Sequence, residues 1–329
     1  MEKKCYHCEK KRFYQEPLFK VGIATLIILL VSYFVSFLNP VFFAFVDYLK
    51  LIWWAVLLGF LIGGIIDYFV SDEVVVELLG KREKKTIFLA VLLGFVMSAC
   101  SHGILALSMQ LYKKGASTSS VVAFLLASPW ANLPVTILLF GFFGIKALFL
   151  VVSAVVIAII TGLVFLILED KGLIEKHKYR GKIKVERHKI KKDLRSIVKG
   201  VSRGSWELSK MVLWWILIGI LMASFARAFV PQHFFMQFMG PSLLGLLVTL
   251  VLATIIEVCS EGSSPMAFEI YRQTGAFGNA FTFLMAGVAT DYTEIGLIWS
   301  NIGKKAAIWL PIITVPQILV LGYLFNVLL

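Results

Sequence analysis

Glu257, Cys259 and Glu261 stand at alternate positions in TIIEVCSEGSSPMAFEIYRQTGAF, residues 254–277, with strongly apolar sequence leading in. A carboxylate at a bilayer centre costs about 2.5–3.5 kcal/mol on insertion scales, so such groups must face a polar interior and not lipid. They read as a site. If the chain stays helical through this stretch, Glu257 and Glu261 share a face four residues apart, where two like charges favour holding a proton between them. Gly262 can end that helix, and Ser264 with Pro265 suits the cap and first turn of a returning one. The last carbonyls of the first arm then favour a cation, and the new N-terminus favours an anion. Farther along, Glu269 and Arg272 read as an ion pair with each other.

The same residues have counterparts upstream. CSHGILALSMQLYKKGA, from Cys100, recurs as CSEGSSPMAFEIYRQTGA, from Cys259, so Cys100, Ser101 and His102 stand against Cys259, Ser260 and Glu261. Trp53-Trp54 recurs as Trp214-Trp215, Leu79-Gly80 as Met239-Gly240, and the FLLA that begins at Phe124 as the FLMA that begins at Phe283. Asn132 aligns with Asp291 and Gly144 with Gly303. The offset drifts only from 161 to 159, which marks a duplicated unit. Ser128 to Asn132 in one copy and Gly287 to Asp291 in the other interrupt a helix and expose backbone beside the cysteines.

Sulfur and imidazole from Cys100, His102 and Cys259, with oxygen from Glu261, make a ligand set for a soft metal. Around it, Ser101, Asn132, Ser260, Thr290 and Asp291 complete a substrate site, and Glu257, Glu261, Asp291 and Glu294 are the candidates to carry protons. Plainer readings stand beside these. Each cysteine alone suits a small buried hydrophobe, His102 a donor to a carbonyl, and Asp291 with Glu294 a helix cap. Cys5 and Cys8 with His7 form at most half of a zinc-type site, an accessory one.

The elements that must position these groups follow from composition. Of 329 residues, 59% are hydrophobic and 16% charged, and the mean hydropathy of +0.86 excludes a soluble globular domain. Clean apolar runs cover Leu18 to Leu38, Leu51 to Val70, Val121 to Phe143, Ala147 to Leu168, Leu208 to Val230 and Ile308 to Leu328. Interrupted ones cover Thr86 to Tyr112, Ser242 to Tyr271 and Phe277 to Ser300. The net charge of +12 lies between these runs and reads as a topology signal, not a nucleic-acid face. If Thr86 to Tyr112 dips into the membrane and returns, 28 of the 32 Lys and Arg fall inside, leaving Lys50, Lys146, Arg227 and Arg272 outside. If that run crosses instead, the basic linker falls outside, against the positive-inside rule.

The expected fold is therefore all-α and polytopic. It has two inverted repeats, each with a cysteine-tipped re-entrant hairpin and a broken helix, plus one extra N-terminal helix. The divisions are a cytosolic tail over 1–20, the extra helix in 21–50, repeats over 51–168 and 207–329, and a cytosolic linker over 169–206. Inverted repeats with broken segments meeting at mid-membrane point to a secondary transporter.

The paired Cys-Ser-x-Gly segments, the basic Gly-Ala turns (Lys114 to Ala116; Arg272 to Ala276) and the FLLASP and FLMAG helices resemble the predicted-permease family that includes ArsP-type organoarsenical exporters. The resemblance covers nearly everything from Leu51 onward except the linker. It implies a polytopic permease that exports arsenicals or metals, with Cys100 and Cys259 as the positions carried over. In this chain Cys100 is followed by Ser-His-Gly, with no second cysteine, and the second copy adds Glu261 and the TDYTE run.

The expected function is proton-coupled export of a soft metal or metalloid species by a multi-pass plasma-membrane permease with its N-terminus and linker in the cytoplasm. Its partners are a small inorganic or organometalloid substrate and membrane lipids, with further copies of itself a candidate and nucleic acid not expected. No cofactor or enzymatic activity is expected, and no G-x-x-x-x-G-K-[ST] is present for an ATP-driven pump. Two rivals are a transporter of a small sulfur-containing or oxyanionic solute and an intramembrane thiol redox protein.

Overall fold

Backbone in hydrocarbon has no water to bond, so every polar main-chain group must be satisfied within its own element, and apolar runs of this length become helices. The structure, a computed structural model, describes residues 16–69, 79, 84–97, 101–113, 115–175, 194–257 and 259–329, with side chains at 101–103, 106 and 194 also outside the description. It is an all-helical, multi-pass membrane protein. Cys5, His7, Cys8 and Cys100, and the side chains of Ser101 and His102, lie outside the described residues.

Among the described residues fourteen α-helices follow in order: α1 Pro17–Phe34, α2 Asn39–Phe69, α3 Lys84–Val96, α4 Ser101–Lys113, α5 Thr118–Ala131, α6 Leu133–Phe143, α7 Ala147–Asp170, α8 Leu194–Phe229, α9 Gln232–Met239, α10 Leu243–Ile256, α11 Ser260–Thr274, α12 Phe277–Thr290, α13 Tyr292–Asn301 and α14 Lys304–Leu328. Among the described residues five stretches are long and apolar enough to cross a membrane: Pro17–Phe34, Ser36–Phe69, Thr118–Asp170, Arg195–Phe229 and Lys304–Leu328. Counted together, α9 and α10, bent by 104°, make a sixth. The 50/51 division falls inside α2, which runs without interruption from Asn39 for 31 residues, about 46 Å at 1.5 Å per residue. The expected linker likewise yields its first residues to α7 and those from Leu194 onward to α8.

The duplication seen in the sequence recurs in the packing. In the first half α5 packs on α3, α4 and α7; in the second α12 packs on α10, α11 and α14. The halves also exchange elements, α6 lying on α11 and α13 on α4. Positive-φ glycines recur at offsets of 160 and 159. Gly115 and Gly275 follow the second arms, and Gly144 and Gly303 precede the last helices. Each supplies a turn that a residue with a Cβ rarely adopts.

Equivalent long helices run antiparallel. On α2 and α8, Asp47 pairs with Arg227 at 3.1 Å at one end, while Gly64 lies against Ser205 and Gly200 against Tyr68 toward the other. On α7 and α14, Phe149 meets Phe325 and Gln317 Nε2 donates to Thr161 Oγ1 at 3.1 Å. Just past α7, the Glu175 carboxylate accepts the main-chain N–H groups of Lys305 and Ala306, both at 3.0 Å, and so caps the start of α14. At the opposite end, Lys146 Nζ donates to Tyr271 Oη at 2.9 Å and to the carbonyl of Leu329 at 3.0 Å.

At the centre lie α5, buried from Thr118 to Ala131, and α12, buried from Phe277 to Ala289. A helix that is apolar all round belongs there. Asn279, near the start of α12, donates to the carbonyls of Met239 and Gly240 and to Thr249 Oγ1, at 3.0, 3.2 and 3.1 Å. The start of α10 and the end of α11 therefore both lie beside the start of α12. Fourteen residues in α10 reach about 21 Å, short of a roughly 30 Å core.

Candidate functional site

Val121 to Phe143 and Phe277 to Ser300 are each two helices, broken at Asn132 and Asp291. The helices continue past Pro129 and Gly287, and each break falls on the last residue of the segment expected to interrupt them. Both break residues cap the half-helix that follows. Asn132 Oδ1 accepts the N–H of Val135 at 2.8 Å, and Asp291 accepts the N–H of Thr293 at 2.8 Å and its hydroxyl at 2.6 Å. The cap expected of Asp291 is present, but Glu294 does not complete a capping box. It turns inward, 2% exposed, and its Oε2 has no hydrogen-bond partner among the described residues.

The turn between α10 and α11 lies earlier than Gly262. Glu257 ends α10, Cys259 is the N-cap of α11, and Gly262, Ser264 and Pro265 lie within α11. Two corrections follow. Glu257 and Glu261 do not share one helical face, because the break separates them. Gly262 serves a close crossing instead of a helix end: a Cβ there would come within 3.0 Å of the Trp215 carbonyl, and one on Gly219 within 1.9 Å of the Gly262 carbonyl. Ser264 bonds back to the Ser260 carbonyl at 2.7 Å inside the helix and caps nothing.

The break gathers polar groups in two places. In the first, Cys259, 2% exposed, donates its thiol to Glu261 Oε2 at 2.6 Å, and Ser260 Oγ donates to the same oxygen at 3.2 Å. Glu261, 4% exposed, lines a cavity of about 20 Å³ with Asn132, Pro134, Gly59 and Val212. That is room for about one water. The cavity thus joins the break of one half to the turn of the other.

In the second place, the parallel helices α10 and α12 end side by side. Thr254 Oγ1 and Thr290 Oγ1 lie 2.7 Å apart. Glu257 accepts from Ser263 Oγ at 2.9 Å and presses against Gly287, where a Cβ would meet its Oε2 at 2.2 Å. Asp291 and Glu261 are the charged neighbours of Glu257, and Asp291 and Glu257 those of Glu294. Among the described residues, no group of three or more His, Cys, Asp or Glu is arranged to hold a metal ion. Of the expected metal set, Cys259 and Glu261 adjoin, while Cys100 and the His102 side chain lie outside the description, as does the CxxC tail.

Sequence reasoning overlooked Thr254, Ser263 and the tight fit of Gly287, although the first two are hydroxyls within a turn or two of the acids. It also underread Glu269. Arg272 holds that carboxylate bidentately, Nε and Nη2 each at 2.8 Å, as expected; in addition Gln273 donates to it at 2.6 Å and Tyr48 donates from α2. In the first half, Glu169 at the end of α7 is buried and accepts from Ser119 at 3.2 Å.

The predicted permease family matches this chain over residues 37–327. The UPF0718 protein YcgR of Bacillus subtilis is 24% identical over 272 residues, covering 82% of this chain and 90% of that protein. A putative two-component membrane permease complex subunit of Streptococcus mutans is 22% identical over 243 residues, 73% of this chain and 79% of its own. A putative permease of Mycobacterium tuberculosis is 22% identical over 254 residues, 66% of this chain and 59% of its own. No solved structure matches. With a match across nearly all of its described helices, the chain belongs to the predicted permease family.

Proposed function

We propose that this permease is a secondary active transporter that exports a soft metal or metalloid species, coupled to protons, through a site where the two halves meet. The observation that carries the reading is the buried thiol–carboxylate pair of Cys259 and Glu261, facing Asn132 across a cavity between the halves. A buried thiol that donates to a carboxylate is placed to exchange its proton for a soft cation.

Antiparallel α2 and α8, and antiparallel α7 and α14, support inverted repeats, the arrangement alternating access requires. The α10 start and the α11 end, both beside the start of α12, support a re-entrant hairpin with Cys259 at its tip. Cys100, Ser101 and His102 occupy the matching sequence positions of the other half and would complete the ligand set. Glu257, Asp291 and Glu294, on the adjoining helix ends, would carry the coupling charge. The name of the Streptococcus mutans relative supports a second protein as part of the working transporter.

The test is ion flux in everted membrane vesicles carrying a pH dye, with zinc, cadmium and a trivalent arsenical added in turn. A pH change that disappears in Cys259→Ser and in Cys100→Ser supports the reading, and the ranking of ions names the substrate. Silence toward all three, from folded and inserted protein, would turn attention to a sulfur-containing or oxyanionic solute.

A further inference from the structure

The ends of α10 and α12 have a property that thiol chemistry does not explain. Two helices stop side by side with the same terminal geometry, Glu257 at φ −53°, ψ 128° and Asp291 at φ −57°, ψ 125°. The last four carbonyls of a helix have no partner inside it, and aligned peptide dipoles place about half a negative charge at that end. Here two such ends coincide, tied together by the Thr254 and Thr290 hydroxyls.

Carboxylates add to this negative potential. Glu257 and Asp291 stand on the helix ends, and each has protein donors: Ser263 for the first, the Thr293 amide and hydroxyl for the second. Glu294 differs. It is buried, its neighbouring charges are those two acids, and its Oε2 has no protein donor among the described residues. Among the described residues, the charged neighbours that act on Glu257 and Glu294 are carboxylates. Among the described residues no donor to that oxygen and no counter-charge stands beside it, and a buried carboxylate so placed takes up either a proton or a cation.

We infer that the adjoining ends of α10 and α12, closed by Glu294, bind a hard monovalent cation, sodium in chemical class, through carboxylate, hydroxyl and main-chain carbonyl oxygen. Among the described residues, the groups named here offer oxygen, which suits a hard ion and not a soft one. Among the described residues no three His, Cys, Asp or Glu side chains are arranged to hold a metal ion together, so the site is built on one carboxylate with hydroxyl and carbonyl dipoles, which matches a single charge. Half-helix C-terminal ends serve sodium well in this way. The inference rests on reading these acids as the coupling site and deepens it: sodium and protons compete for the same oxygens.

The test is thermal unfolding of the purified full-length chain in detergent at fixed pH, with sodium chloride titrated against potassium and choline chlorides at constant ionic strength. A ligand that binds only the folded state raises the midpoint with its concentration. Sodium should raise the wild-type midpoint beyond potassium or choline, and lowering the pH should shift the response to higher sodium. Glu294→Gln should move the half-saturating sodium concentration at least about tenfold, and so, to a smaller extent, should Thr290→Val, which preserves side-chain shape. Glu207→Gln, in an exposed ion pair with Lys210 on α8, should respond as wild type. Equal midpoints in sodium, potassium and choline, or a wild-type response in both Glu294→Gln and Thr290→Val, would overturn the site. Because binding and not flux is read, silence in the vesicle assay leaves this result standing, and indifference to sodium leaves the thiol exporter standing.

Discussion

Cys259 donates its thiol to Glu261 at 2.6 Å across the first turn of α11, and neither side chain is more than 4% exposed. The pair lies at a helix N-terminus, where the dipole favours a carboxylate and a thiolate alike. Replacing Glu261 by Gln keeps shape and a hydrogen-bond acceptor but removes the charge. The Gln variant should insert and fold as wild type while losing metal-triggered proton movement by about two orders of magnitude, read in vesicles. Wild-type flux would remove the site from this turn.

Gly287 is fixed by its contact and not by its backbone, which is helical. A Cβ there would lie 2.2 Å from Glu257 Oε2, so Gly287→Ala must displace a carboxylate hemmed in by Ser263 and the end of α10. Overpacking of this kind costs about 1–3 kcal/mol. The thermal midpoint of Gly287→Ala should fall, and adding Glu257→Ser should restore it without restoring transport. If the double variant stays as unstable as the single one, the contact does not set the cost.

Tyr48 and Glu269 join α2 to α11 across 221 positions of chain. With Arg272, Gln273 and Tyr48 all donating, the buried carboxylate of Glu269 is fully satisfied. Tyr48→Phe removes one donor of several and should cost about 1 kcal/mol, the usual net worth of a hydrogen bond. Glu269→Ala should cost more, because it strands three donors and opens space, and chemical denaturation of the two variants in detergent measures the difference.

What could be read in advance was what repeats or interrupts locally. Apolar length marked the spans, and self-similarity paired Asn132 with Asp291, both of which break and cap helices as paired. The Glu269–Arg272 bridge was legible because its partners are three apart. The turn itself was misplaced, because Gly262 and Pro265 carry breaker chemistry in isolation. In the folded chain Gly262 instead lets α11 cross α8 against the Trp215 carbonyl, a contact with no local signature. The contact of Gly287 with Glu257 and the reach of Tyr48 to Glu269 were invisible for the same reason, since their partners come from other helices.

The two Trp-Trp helices occupy unequal places, and this asymmetry yields the last prediction. α2 packs along α6, with Gly59 beside Pro134, whereas α8 packs along α11, with Gly219 against Gly262, and not along α13. The repeat offset makes Ile220 and Thr293 the counterparts of Gly59 and Pro134. If the halves are inverted repeats that exchange conformations, the opposite-facing state brings α8 onto α13 and lifts it from α11. Cysteines at Ile220 and Thr293, in a chain lacking the tail cysteines, should then crosslink in membranes, slowly at rest and faster under an ion gradient. Cutting the chain within 240–242 before electrophoresis separates linked from unlinked fragments of this pair, and cutting within 115–117 does so for a pair in the first half. A control pair at Val56 and Leu138, which line one cavity, should crosslink at rest and more slowly under the gradient. Absence of the 220–293 link under every gradient, with the control pair linking, would mean that α2 and α8 do not trade places and that access alternates by some other movement.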